Sequence, residues 1–167
     1  MDVYAVTGLR KPEIVEHISK YSDLDEPAKE LIQSAIAVQK NAYVQYSNFH
    51  VGAAFRTKDD RIFTGCNVEN ASFTPTSCAE RTALTKAVSE GYNEFVAGAV
   101  VAYQEDAFTT PCGVCRQFIM EFAENDIPLY ITKSKVGGTK SNDDLVLSTS
   151  IYNLLPHGFR TFKAKNC

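Results

Sequence analysis

TSCAERTALTKAVSEGYNEFVAGAVVAY (76–103) changes periodicity halfway along, and that change decides the fold. From about Cys78 to Glu90 the residues suit a helix, and Gly91 sits at the C′ position where a left-handed residue commonly closes one. FVAGAVVAY (95–103) follows as an unbroken apolar run, the pattern of a buried strand. The run is too short for the ~20 apolar residues a membrane-spanning helix requires.

Outward from this unit the same alternation continues. HVGAAFR (50–56) and RIFTGCNVE (61–69) are β-like runs joined by Lys58-Asp59-Asp60, a hairpin pattern. Before them, Ala28, Leu31, Ile32, Ala35 and Val38 form one helical stripe, with Pro27 in its first turn. After residue 103 the sequence predicts a helix from about Pro111 to Glu124, with Thr110 as N-cap and Pro111 at N1. PLYIT (128–132) is a strand, GGTKSNDD (137–144) a loop, DLVLS (144–148) a last strand and SIYNLLP (150–156) a short helix. Strands alternating with helices after a hairpin give an α/β protein, a three-layer α/β/α sandwich on a mixed five-stranded sheet. Residues 25–162 form its single domain. Residues 1–24 are an N-terminal extension, read as a short helix over PEIVEHISKY (12–21) or as a flexible segment, and 163–167 are a tail.

The chain has 167 residues, 44% of them hydrophobic and 22% charged, the composition of an ordinary globular domain. Its net charge of −3 and the lack of a long basic run argue against a nucleic-acid footprint. MDVYAVTGLRKPE lacks the basic start and apolar block of a secretory signal, so the expected location is the cytoplasm, with no membrane partner. There the five cysteines read as reduced thiols for metal or catalysis.

Cys78 opens one predicted helix, and Cys112 and Cys115 open the next. If both helices follow neighbouring parallel strands, the three thiols meet at one edge of the sheet, where helix dipoles favour thiolates. Three cysteines can hold zinc with a position left for water; a structural site needs a fourth ligand, from Cys66, Cys167, His17, His50 or His157. PCGVC alone also fits a redox pair, which leaves Cys78 without a role. Glu80 has two readings as well. Ser77-Cys78-Ala79-Glu80 fits a capping box, and Glu80 equally fits a proton carrier beside a metal site; three thiols with an open position shift the balance to the second.

CAER (78–81) and PCGVCRQ (111–117) together resemble the cytidine deaminase family, in its short homotetrameric, three-cysteine form; their pattern is the known zinc deaminase signature. YSNFHVGAA (46–54), DRIFTGCNVENA (60–71), ERTALTKAVSEGY (80–92) and YNLLPHGF (152–159) extend the resemblance over roughly residues 27–160. It implies one Zn²⁺ per subunit on Cys78, Cys112 and Cys115, with Glu80 moving protons during hydrolytic loss of the amino group at C4 of cytosine. The implied reaction converts cytidine and deoxycytidine to uridine and deoxyuridine in pyrimidine salvage.

The resemblance also assigns NVENASF. Asn67 and Glu69 would bind a ribose hydroxyl, and Val68, Asn70, Ala71, Ser72 and Phe73 belong to the same substrate segment. Phe49 would pack near the base, Ala79 would meet the base carbonyl through its main chain, and Phe159 would reach a neighbouring subunit's site. Three thiolates on Zn²⁺ leave a formal charge of −1, which Arg81 can offset. The chain departs from the family before Cys78: the family's tyrosine is Phe73, its proline is displaced by one, and its glycine is Thr76.

Overall fold

In a computed structural model, residues 11–160 are described. Their elements are β1 (His17–Lys20), a 3-10 turn (Tyr21–Asp23), α1 (Glu26–Gln39), β2 (Gly52–Thr57), β3 (Ile62–Cys66) and α2 (Ala79–Ser89). β4 (Phe95–Ala102), α3 (Gly113–Glu121), β5 (Pro128–Lys133), β6 (Leu145–Ser150) and α4 (Ile151–Leu154) follow. The strands form one six-stranded sheet in the order β1-β6-β5-β4-β2-β3. Only β4 and β5 pair in parallel; every other pairing is antiparallel.

Strand alternation builds the layers. Ala53 and Phe55 on β2 and Val100 on β4 join Ala83, Leu84 and Ala87 of α2 and Ile119 and Met120 of α3 in one core. Ala54, Ala99 and Val101, on the opposite face, pack with Leu31, Ile32, Ala35 and Ile36 of α1 in the other. Each fully buried Leu, Ile or Phe contributes about 1.5–3 kcal/mol relative to exposure. α1 starts at Asp25, whose Oδ1 accepts from Ala28 N at 2.9 Å, a cap of about 1 kcal/mol. α2 ends as expected at Gly91, with φ +93°: Gly91 N donates to Val88 O and Tyr92 N to Ala87 O, the Schellman pair.

The sixth strand is a departure from the sequence reading. Residues 17–20 are not helical but pair with β6, His17 opposite Ser148 and Lys20 opposite Leu145. The apparent helical stripe has no apolar surface to cover, for Val15 and Ile18 remain 81% and 57% exposed, whereas β6 offers unpaired backbone groups. Side chains of the body secure the segment. Asp126 Oδ2 accepts from Glu13 N at 3.0 Å, Asn153 Nδ2 donates to Ile14 O at 2.8 Å, and Thr149 Oγ1 donates to Glu16 Oε2 at 2.5 Å. The tail at 163–167 lies outside the described residues.

Candidate active site

Helices α2 and α3 point their N-termini at one another's cysteines. Cys78 is the N-cap of α2, Cys112 the N-cap of α3, and Cys115 lies in the first turn of α3. The strands that precede the two helices, β3 and β4, run the same way but are not neighbours, because antiparallel β2 lies between them. The helices still meet, since Gly65 of β3 lets α2 approach the sheet: a Cβ there would lie 2.3 Å from Ala83 N and 2.4 Å from Ala79 O. Thr110 is therefore not the cap of α3, and Pro111 precedes the helix.

The three sulfurs lie within 4.8 Å of one another, Cys78 Sγ and Cys112 Sγ at 3.9 Å. Tetrahedral zinc with Zn–S bonds of about 2.3 Å brings sulfurs to ~3.8 Å, so an all-sulfur donor set at this spacing is a site for one zinc ion. Among the described residues no Cys66, His17, His50 or His157 joins the cluster; Cys167 lies outside them. The described cysteines are all free thiols. Hydrogen bonding from Cys115, then Arg81 and Cys112, outweighs burial and draws the Cys78 thiol down to about 5, while the bond to Cys78 and burial raise Cys115.

Glu80 is 4% exposed and occupies the second position of α2, not the third. The helix starts one residue later than a capping box on Ser77 requires, and Cys78 makes no side-chain cap bond. Ser77 Oγ instead lies 3.2 Å from Thr82 Oγ1, and its backbone pairs with Val68. Burial is the main cause that lifts Glu80 to about 7, with the nearby Cys78 charge adding to it. Arg81 Nη2 donates to Thr76 O at 2.7 Å and lies 4.0 Å from Cys78 Sγ. The Thr76 hydroxyl accepts from Asn70 N at 3.2 Å, so the loop before Cys78 is tied to the 67–73 segment by its own side chain.

That segment is pinned between two others. Residue 68 bridges Tyr43 on one side and Ser77 on the other. Asn67 is nearly buried; its Oδ1 accepts from Val51 N at 2.9 Å and its Nδ2 donates to Phe49 O at 2.7 Å. Glu69 accepts from Tyr46 N at 2.9 Å, from Ser47 N at 3.2 Å and from Ser47 Oγ. The Ser47 bond is the largest reason its carboxyl is held below the usual range. Phe49 is half-buried, whereas Phe73 is 78% exposed, edge-on to Tyr46 with ring centroids 6.4 Å apart. Ala79 is fully buried at the first position of α2, where a backbone N–H has no partner within the helix. Phe159 is 66% exposed, and its carbonyl accepts from Gln117 Nε2 at 3.1 Å.

Sequence reasoning missed Arg116. Its Nε donates to Pro111 O at 2.7 Å, Nη1 to Leu154 O at 2.9 Å and Nη2 to Thr110 Oγ1 at 3.0 Å. The guanidinium ties the approach to Cys112 to the end of α4. Its place directly after Cys115 was the available signal.

A family model described as the cytidine and deoxycytidylate deaminase zinc-binding region matches residues 25–131. The cytidine deaminase of Sporosarcina psychrophila is 43% identical over 131 residues, 78% of this chain and 90% of its own. A probable cytidine deaminase of Dictyostelium discoideum is 49% identical over 102 residues, 61% of this chain and 69% of its own. The crystal structure of cytidine deaminase from Burkholderia pseudomallei superposes with a TM-score of 0.69 at 40% identity, covering 81% of this chain and all of that one.

Proposed function

Because the chain belongs to the family of the cytidine and deoxycytidylate deaminase zinc-binding region, we propose that it hydrolyses the 4-amino group of cytidine and deoxycytidine, releasing ammonia and the uracil nucleoside. The observation that carries this reading is Glu80: a carboxyl buried beside three clustered thiols, on a helix whose start does not form the capping box with Ser77. A buried carboxyl is costly, and the bond to its own first-turn amide offsets only part of that cost.

Cys78, Cys112 and Cys115 would hold the zinc, which when bound supplies Lewis acidity that makes water a usable nucleophile near neutral pH. Glu80 would carry a proton to N3 of the pyrimidine and then to the departing amine, work suited to a group that exchanges protons near neutrality. Ala79 N–H would face the base carbonyl, Phe49 would pack on the ring, and Asn67, Glu69 and the rest of residues 68–73 would receive the sugar. Arg81 would offset the surplus negative charge of three thiolates. Net charge and the want of a basic cluster favour a nucleoside over a nucleotide. Phe159, exposed, is the side chain we assign to a neighbouring subunit's site in a homotetramer with shared active sites, in cytoplasmic pyrimidine salvage.

Glu80→Gln tests the reading. The variant is expected to keep its fold and about one zinc per chain while deamination falls by orders of magnitude. Ordinary turnover by that variant, or wild-type protein inactive on both nucleosides with its zinc in place, overturns it. Preference for the monophosphate over both nucleosides likewise overturns the nucleoside reading.

A further inference from the structure

The half of the site away from the sulfurs contains a hub that the substrate reading does not use. Ser47 sits on the turn before β2, and three bonds converge on it. Its Oγ donates to Glu69 Oε1, its N donates to Glu69 Oε2 at 3.2 Å, and its Oγ accepts from Phe49 N at 3.0 Å. Tyr46 N adds a further bond to Oε2 at 2.9 Å. Asn48, next in the chain, has φ +55°, and its N donates back to Val44 O at 3.0 Å, which closes the turn.

We propose that Ser47 is a positioning residue for sugar specificity: it fixes the rotation of the Glu69 carboxylate so that a single acceptor site is left for a substrate hydroxyl. The inference rests on Glu69 facing the sugar, as proposed above. A carboxylate has about four acceptor sites, two per oxygen. The two backbone amides fill Oε2, and the Ser47 hydroxyl takes one site on Oε1. The remaining Oε1 site accepts one donor at a fixed angle. A site built in this way penalises a ligand that lacks the hydroxyl, since the bond cannot be replaced by rotating the carboxylate. The same serine ties the backbone of Phe49, and Asn67 secures Phe49 O and Val51 N, so the sugar-side carboxylate and the base-side ring belong to one bonded turn.

Two substrates separate positioning from scaffolding: cytidine and 2′,3′-dideoxycytidine, which lacks both secondary hydroxyls. Zinc content and steady-state kinetics are measured on wild type, Ser47→Ala, Ser47→Thr, Glu69→Gln and the Ser47→Ala/Glu69→Gln pair. Ser47→Ala is expected to raise KM for cytidine roughly tenfold, the scale of one bond to a charged acceptor. KM for the dideoxy substrate and kcat for both are expected to stay within about twofold. Ser47→Thr keeps the donor and is expected to restore the cytidine KM, and the double variant to behave as Glu69→Gln alone. The proposal is overturned if KM rises equally for both substrates, if Ser47→Ala loses zinc, if Ser47→Thr is as impaired as Ser47→Ala, or if the two substitutions add independently. Wild-type protein that deaminates neither substrate refutes the nucleoside reading itself, and this inference falls with it.

Discussion

At the scale of the residue, Ser77 and Glu80 have the spacing that lets a serine and a glutamate satisfy each other's backbone amides, but α2 begins one residue beyond the point where that exchange works. The shift leaves Glu80 buried, bonded to its own amide and to the Cys115 thiol, while Ser77 N donates to Val68 O. Arg81 completes the arrangement by bonding Thr76 O with the same nitrogen that approaches Cys78 Sγ. It therefore holds the loop and biases the sulfur at once. Arg81→Gln removes the cation while keeping a polar side chain. The thiolates are then less favoured over their thiols, so protons compete with the metal at higher pH. Release of zinc to a chromogenic chelator, followed as pH is lowered, is expected to begin at higher pH than in wild type, and deamination to slow by about tenfold or more. A variant with the wild-type release curve and full turnover would remove Arg81 from both roles.

At the scale of the element, the site depends on how closely α2 lies on β3. Gly65→Ala would place a methyl against Ala83 N and Ala79 O, backbone atoms that cannot rotate aside. Overpacking of this kind costs about 1–3 kcal/mol, and here the strain falls on the first turn of α2, beside Cys78. The expected result is a lower melting temperature together with weaker zinc retention; unchanged melting and zinc content would mean that the helix can slide without disturbing its cysteine. The hairpin, the apolar run of β4 and the Gly91 stop were legible because each is a local signal: alternation, an apolar run, one glycine. The partners of β3 and β4 were not, because sheet order depends on β2 inserting between them, and no local pattern records that. The strand at 17–20 was hidden for a related reason: Ile14, Val15 and Ile18 have helical spacing, while the decisive partner, β6, lies over a hundred residues away. The clustering of the three cysteines could be anticipated from their places at two helix starts, whereas the spacing of Glu80 fitted a cap equally well. Arg116 and Ser47 could not, since their duty is to backbone atoms brought near only by the fold.

At the scale of the whole molecule, two helix N-termini carry the three clustered cysteines, the Ser47 turn holds Glu69, and the 67–77 segment joins them through the Tyr43, Val68 and Ser77 bridges. The N-terminal segment stands outside that circuit. Its bonds to the body join residues separated by 112 to 139 positions, whereas β2 and β3 close through a short turn. Closing so long a loop costs more chain entropy than closing a hairpin, and β1 offers only four residues in return. In the order of folding, β1 therefore docks after the body has formed, and in the native state it is the first part to open. Amide hydrogens at 17–20 are expected to exchange with solvent much faster than those of β4 and β5, by a route that does not require the zinc site to unfold. Protection of β1 equal to that of β4 would show instead that the arm and the body melt as one.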